Sequence, residues 1–458
     1  MNTNEGLIRA VGVRGLTAGI VNYTVGSGIF VLPAVVAARL GGASTLAYVV
    51  CAVAMALIVM CFAEAGSRVS LSGGAYAYAG KVFGPYVGFM VATTLWFGAS
   101  VLGCATVATI FVASLGRLVP GAADPAARAI ILIVLFASMA LLNIRGVKAG
   151  SRVVVGVTAA KLIPLFILVI AGAFAIESAN LTWPGMPSIS DLGRTSTMLI
   201  FAFLGVETAV TPSGEVKDPA TTVPRSIFIA LVLVTVLYLL IQIVAQGILG
   251  PALATTPDAP LAEAARRALG RAGELLILVG AAISTFGYVA GDILAAPRLL
   301  YALGRDRLLP RFIASVHPTF RTPWVAIIIH AAACCAFAIT GSFATLAVMA
   351  SLSTLLIYLA CCLATIELRR RDVRTDDGIP FRVPGGPVIP LLASATVIWL
   401  ISNATRSEFM AMGWMLLAST ILYFAMSRMS RRAAASVEKT DSADQGGWNK
   451  TDKADRTE

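Results

Sequence analysis

The sequence predicts an all-α integral membrane protein of twelve transmembrane helices, laid out as a five-plus-five inverted repeat with the first and sixth helices broken. Three observations predict it: apolar character along the whole chain, a lopsided placement of basic residues, and glycine-bearing interruptions in two spans five apart. Of the 458 residues, 58% are hydrophobic and only 13% are charged, a balance that belongs to a polytopic membrane protein. Apolar stretches of about 17 to 25 or more residues read as spans. They fall at 13–38, 43–66, 84–115, 127–143, 150–176, 196–212, 225–249, 272–300, 323–340, 343–366, 386–403 and 410–427. The membrane domain then covers 1–427, with a first repeat over 13–176, a second over 196–366, and the last two spans in 386–427. Residues 428–458 are polar and poor in apolar side chains, the composition of a disordered tail.

The net charge of +11 would invite a nucleic-acid partner in a soluble protein. Topology accounts for it instead. With the amino terminus inside, twenty-six basic residues fall on the cytoplasmic side. Eight fall opposite: Arg39, Arg117, Arg128, Arg194, Arg266, Arg267, Arg271 and Arg406. That positive-inside bias puts both termini in the cytoplasm and leaves no basic patch for nucleic acid. All seven cysteines lie inside expected spans, without a C-x-x-C pair, and read as small apolar packing residues. No extracellular cysteine suggests a disulfide-linked accessory subunit. The first span lacks a short apolar core ending in a cleavage site, so it reads as a retained helix.

Span 1 contains Gly26-Ser27-Gly28-Ile29-Phe30 and span 6 contains Phe201-Ala202-Phe203-Leu204-Gly205-Val206-Glu207. In lipid every backbone amide needs a partner, so irregular backbone at membrane depth is tolerated only where it lines a protein-enclosed cavity. Glycine at one such place reads as helix packing. Interruptions at corresponding positions of two five-span halves point to an inverted-repeat secondary transporter. An odd number of spans per repeat turns the second half upside down.

The intramembrane ionisable residues are few. Lys161, about 13 Å along span 5 at 1.5 Å per residue, is too deep to snorkel comfortably and marks a proton pathway or a permanently charged brace. Glu207 adjoins the span 6 break, where a carboxylate reads as a cap or hydrogen-bond partner for the broken backbone or as a coupling acid. Asp292 lies well inside span 8, as a cationic substrate group or a second proton carrier would require. Glu64 is expected to pair with Arg68 one turn on, His330 reads as a satisfied core residue, and Tyr358 either closes a pocket from the side or packs.

These features, with their neighbours, resemble the amino acid, polyamine and organocation transporter superfamily, in its bacterial permease and antiporter branch. The resemblance spans nearly the whole chain. Its carriers are Gly26-Ser27-Gly28-Ile29-Phe30-Val31-Leu32-Pro33, Ser72-Gly73-Gly74-Ala75-Tyr76-Ala77-Tyr78 and Lys161-Leu162-Ile163-Pro164. To these add Gly205-Val206-Glu207 with Gly214-Glu215-Val216-Lys217-Asp218-Pro219, Arg305-Asp306-Arg307-Leu308-Leu309-Pro310, and Pro380-Phe381-Arg382-Val383-Pro384-Gly385-Gly386-Pro387. The family usually carries glycine where this chain has Arg307.

The resemblance implies a leucine-transporter-like fold in a bacterial inner membrane, with no cofactor and an amino acid or related amine as substrate. It implies symport with protons or antiport of amino acids or polyamines. The substrate carboxylate would meet Thr24, Ser27, Gly28 and Ile29, where half-helix amino termini present partial positive charge. The ammonium would meet carbonyls between Asn22 and Val25, beside Gly26, and between Phe201 and Leu204. Substrate contacts are therefore expected over Thr24, Val25, Gly26, Ser27, Gly28 and Ile29 and over Phe201, Ala202, Phe203, Leu204 and Gly205, with Phe201 at a gate position. Lys161 would reach carbonyls around Val25 and Gly26, and Glu207 would couple outer gating to protonation.

Other classes fare poorly. The two histidines, His317 and His330, come without H-E-x-x-H, a G-x-S-x-G elbow or clustered metal ligands, which argues against an enzyme. Thr24-Val25-Gly26 echoes part of a potassium filter, but such filters need four copies around an axis.

Overall fold

Helix satisfies its own backbone, which is why it suits a chain surrounded by lipid; among the described residues of this computed structural model there is no β-strand. The structure describes residues 12–451 apart from 27, 70–73, 120, 123, 146–150, 184, 206–215, 258 and 374–379, with side chains left out at 151–160, 219–220 and 430–451. The expected contacts at Ser27 and Glu207 therefore lie outside the described residues.

The first span is split into α1 (Val13–Thr24), a 3₁₀ turn (Gly28–Phe30) and α2 (Leu32–Leu40). Then come α3 (Ser44–Arg68), α4 (Ala75–Phe83) and α5 (Pro85–Thr93), which runs through a π-helical stretch, Thr94–Val101, into α6 (Leu102–Leu118). The first half closes with α7 (Pro125–Ile144) and α8 (Ser151–Gly172). The second half holds α9 (Ile189–Phe203), α10 (Pro219–Leu249), α11 (Pro260–Ala295), α12 (Pro297–Arg305), α13 (Trp324–Thr340) and α14 (Phe343–Arg370), followed by α15 (Val388–Ser402) and α16 (Arg406–Thr451).

Helix starts follow local chemistry. Proline opens α5, α7, α10, α11 and α12, where its missing amide costs nothing. Asp124 caps α7 by accepting from the amides of Ala126 and Ala127 at 2.9 and 3.3 Å.

Among the described residues, seven helical segments are long and apolar enough to cross a membrane, from Leu32–Arg68 to Arg406–Met429, and Lys161–Ala175, Trp324–Thr340 and Val388–Ser402 are shorter apolar helices. Large apolar side chains face outward on these segments, among them Ile130 and Val134 of α7, Ile170 of α8, Val232 of α10 and Ile421 of α16. An apolar exterior of that extent is stable against hydrocarbon, not water. Inside, α10 packs along α3 and α1, α11 along α6 and α8, and α14 against α3, α6 and the π-helical stretch.

Three local findings differ from or extend the sequence reading. Helix α11 starts at Pro260, twelve residues before the expected span, and bends at Gly270 (φ 68°); the segment before the bend carries Glu263 with Arg266 and Arg267, paired at 2.5 and 3.6 Å. Helix α16 continues to Thr451, through the stretch expected as a disordered tail; Arg431-Arg432-Ala433-Ala434-Ala435 are strong helix formers. Arg307, at the position where the resemblance implies glycine, has φ 61°, a left-handed conformation that costs a side chain about 1–2 kcal/mol.

The expected Glu64–Arg68 pair is present at 2.9 Å and belongs to a larger lock. Glu64 also accepts from Arg369 Nε at 3.0 Å, from a second nitrogen of Arg369, and from the Val383 amide at 2.9 Å. One fully buried carboxylate thereby joins α3 to α14 and to the chain before α15.

Candidate functional site

Backbone bookkeeping locates the first break. At the end of α1 the Val25 amide still reaches the Val21 carbonyl at 2.9 Å, but the Gly26 amide turns back to Thr24 at 2.7 Å. In an unbroken helix Gly26 would have bonded to the Asn22 carbonyl. That carbonyl is freed, and the buried Lys161 ammonium donates to it. The expected partners of Lys161 were the carbonyls around Val25 and Gly26. The observed one lies three residues earlier, because the turn at Gly26 decides which carbonyl is orphaned.

The second break follows α9. Leu204 leaves the helix with extended backbone (φ −62°, ψ 143°), and Gly205 adopts φ 106°. A Cβ at Gly205 would come within 3.2 Å of the Tyr23 carbonyl carbon and 3.3 Å of the Thr24 amide, so only glycine lets the two breaks touch backbone to backbone. Tyr238, fully buried on α10, spans both: its hydroxyl lies 2.8 Å from the Thr24 carbonyl and 2.9 Å from the Ala202 carbonyl.

Between the breaks lies a cavity of about 150 Å³, below the roughly 300–1,000 Å³ of drug-sized sites and suited to a small solute. Of the expected substrate contacts, Thr24, Gly26, Gly28, Phe201, Ala202, Leu204 and Gly205 line it, and Asp292 joins them. Val25, Ile29 and Phe203 do not; all three are fully buried, and Phe203 packs edge-on against Tyr238 with centroids 5.3 Å apart. Phe201 meets Phe343 edge to face at 6.3 Å. Tyr358 is off the cavity: Thr354, one turn earlier on α14, is the lining residue, and Tyr358 stacks edge-on against Phe62 at 5.5 Å. Thr24 Oγ1 is buried with no hydrogen-bond partner among the described residues, which leaves it for a ligand.

The opposite wall comes from the π-helical stretch, whose Leu95, Ala99 and Ser100 reach the cavity. Single π-turns inside α-helices recur at functional sites. Ser100 Oγ donates to Asp292 Oδ1 at 2.7 Å, His330 Nε2 lies 2.8 Å from Asp292 Oδ2, and Trp96 Nε1 donates to His330 Nδ1 at 3.2 Å. Cys104, Asp292 and Cys334 bring their ligand atoms within 4.8 Å of one another. Both Asp292 oxygens lie within hydrogen-bond distance of a partner, Ser100 and His330.

Two opposed helix breaks around one small cavity are the arrangement the family comparison has to explain. The family model described as amino acid permease matches residues 11–425. The chain belongs to the amino acid permease family. Among the permease's relatives, a methylthioribose transporter of Bacillus subtilis (strain 168) is 28% identical over 451 residues, covering 93% of this chain and 95% of that protein. A serine/threonine exchanger of the same organism is 27% identical, covering 93% and 99%. A vacuolar cationic amino acid transporter of Arabidopsis thaliana is 29% identical, covering 79% of this chain and 62% of its own length. The permease is thus a multi-pass membrane transporter and not an enzyme.

Sequence reasoning about the permease missed Tyr238 and the Trp96–His330–Asp292–Ser100 chain. A tyrosine in the middle of an apolar span was a signal for the first. For the second, an aspartate and a histidine on separate spans were each visible, but their pairing was not.

Proposed function

We propose that the permease is a secondary active transporter that moves amino acids across a bacterial cytoplasmic membrane by alternating access, coupled to protons through Lys161. In this reading it has twelve spans in a five-plus-five inverted repeat, with both termini cytoplasmic, and spans 1, 3, 6 and 8 rock against a scaffold. The observation that carries it is the pair of breaks facing one cavity, with the Lys161 ammonium on the carbonyl that the first break releases.

The substrate carboxylate sits on the Gly28 backbone and the Thr24 hydroxyl, and its α-ammonium on carbonyls near the two breaks. A protonated Lys161 holds the end of α1. Loss of its proton removes the charge and one donor hydrogen, weakening the hold on Asn22 and letting α1 move relative to α8. Glu207 serves as the outer coupling acid.

Uptake of radiolabelled amino acids into proteoliposomes tests the proposal. An inward proton gradient is expected to stimulate uptake into empty vesicles, and Lys161→Ala is expected to abolish that stimulation. Uptake that requires internal substrate would make the permease an exchanger, the activity named for one of its relatives, and Lys161 a brace.

A further inference from the structure

We propose that Asp292 reads the charge of the substrate side chain, so that the permease carries amino acids ending in an ammonium or guanidinium group. The inference rests on the transport reading above and names its substrate class. An indole nitrogen can only donate, so the Trp96 hydrogen bond at 3.2 Å keeps a lone pair on His330 Nδ1. On that hydrogen bond the ring is assigned as neutral, with its one hydrogen on Nε2 and directed to Asp292 Oδ2 at 2.8 Å. Ser100 donates to the other oxygen at 2.7 Å. Both partners are neutral, so hydrogen bonds hold the carboxylate in place while its charge stays uncompensated.

No lysine or arginine is among the described residues that line the cavity. Asp292 is 8% exposed and lines the cavity. A buried ionised carboxylate without a counter-ion is costly, and the group that can supply the counter-charge is the ligand. Tyr23 and Tyr288, which line the same cavity with ring centroids 6.2 Å apart, add aromatic surface that attracts cations. Lys161 does not compete, because its ammonium is engaged with Asn22.

The test is counterflow in proteoliposomes with two near-isosteric pairs, L-arginine against L-citrulline and L-lysine against L-norleucine. Members of a pair share their α-carboxylate and α-ammonium and differ in side-chain charge. The cation of each pair is expected to be carried with a kcat/KM at least about 30-fold higher, the scale of an unpaired buried charge. Asp292→Asn is expected to bring the ratio close to one. His330→Gln keeps a neutral donor and should retain the preference even if total uptake falls, whereas His330→Lys should erase it. The ratio is read within one preparation, so it does not depend on how much of a variant folds.

Equal transport of the uncharged isosteres by the wild type would overturn the inference; it would mean that the charge of Asp292 is answered within the protein. An unchanged ratio in Asp292→Asn would overturn it too, and equal loss of both members would assign Asp292 to the shared α-ammonium. Absence of counterflow for all twenty amino acids would instead overturn the transport reading itself, an outcome distinct from transport without charge preference.

Discussion

Glu64 and Asp292 are both carboxylates buried in helices of the same membrane domain, and they are treated in opposite ways. Glu64 is held by two guanidinium groups and a backbone amide, and it is not among the residues lining the cavity between the breaks. Asp292 is held by a hydroxyl and an imidazole and stands on a cavity wall. The first has every lone pair and its charge answered from within the protein, which ties three segments together. The second has its geometry answered and its charge left over. The difference separates a lock from a receptor: what matters is the formal charge of the donors, not their number.

The largest expected effect tests the lock. Glu64→Ala strands Arg68 and Arg369 and should destabilise the protein by about 3–5 kcal/mol, measured by denaturation of the purified protein in detergent. Tyr238→Phe removes a neutral donor from the Thr24 and Ala202 carbonyls and should cost about 1–3 kcal/mol in the same assay. Asp292→Asn keeps acceptor and donor groups that Ser100 and His330 can satisfy, and should cost less than about 1 kcal/mol while the counterflow ratio collapses. If its cost instead matches that of Glu64→Ala, Asp292 is a second lock and the contrast fails. The smallest effect is a control remote from both carboxylates: Arg307→Gly relieves a left-handed backbone and should stabilise by less than about 1 kcal/mol, since glycine also gains freedom when unfolded.

The breaks were legible in the sequence because glycine-bearing interruptions recur in two spans five apart, and Gly26, Gly28 and Gly205 all stand where the backbone turns or approaches its neighbour. The lysine was legible because a charge within an apolar run is conspicuous too. Its partner was misplaced by three residues, since the identity of an orphaned carbonyl depends on where the next amide turns. The π-helical stretch Thr94–Val101 gave no sign of itself, because Thr-Leu-Trp-Phe-Gly-Ala-Ser-Val reads equally well as ordinary α-helix. Through it Trp96 and Ser100 reach groups some 190 to 230 positions away along the chain, on α11 and α13. Pairings at that range are set by how helices pack, which local pattern does not encode. The same holds for Tyr238 and for His330, whose satisfied state was readable and whose cavity-facing partner was not.

The Tyr238 hydroxyl has a single hydrogen and two carbonyls within reach of it, one on each broken helix. It cannot bond fully to both at once. If one helix end drew away, the hydrogen would be left wholly to the other, so a buried hydroxyl would not lose its acceptor. One hydrogen thus serves both ends in turn, and the withdrawal of either still leaves it a partner on the other.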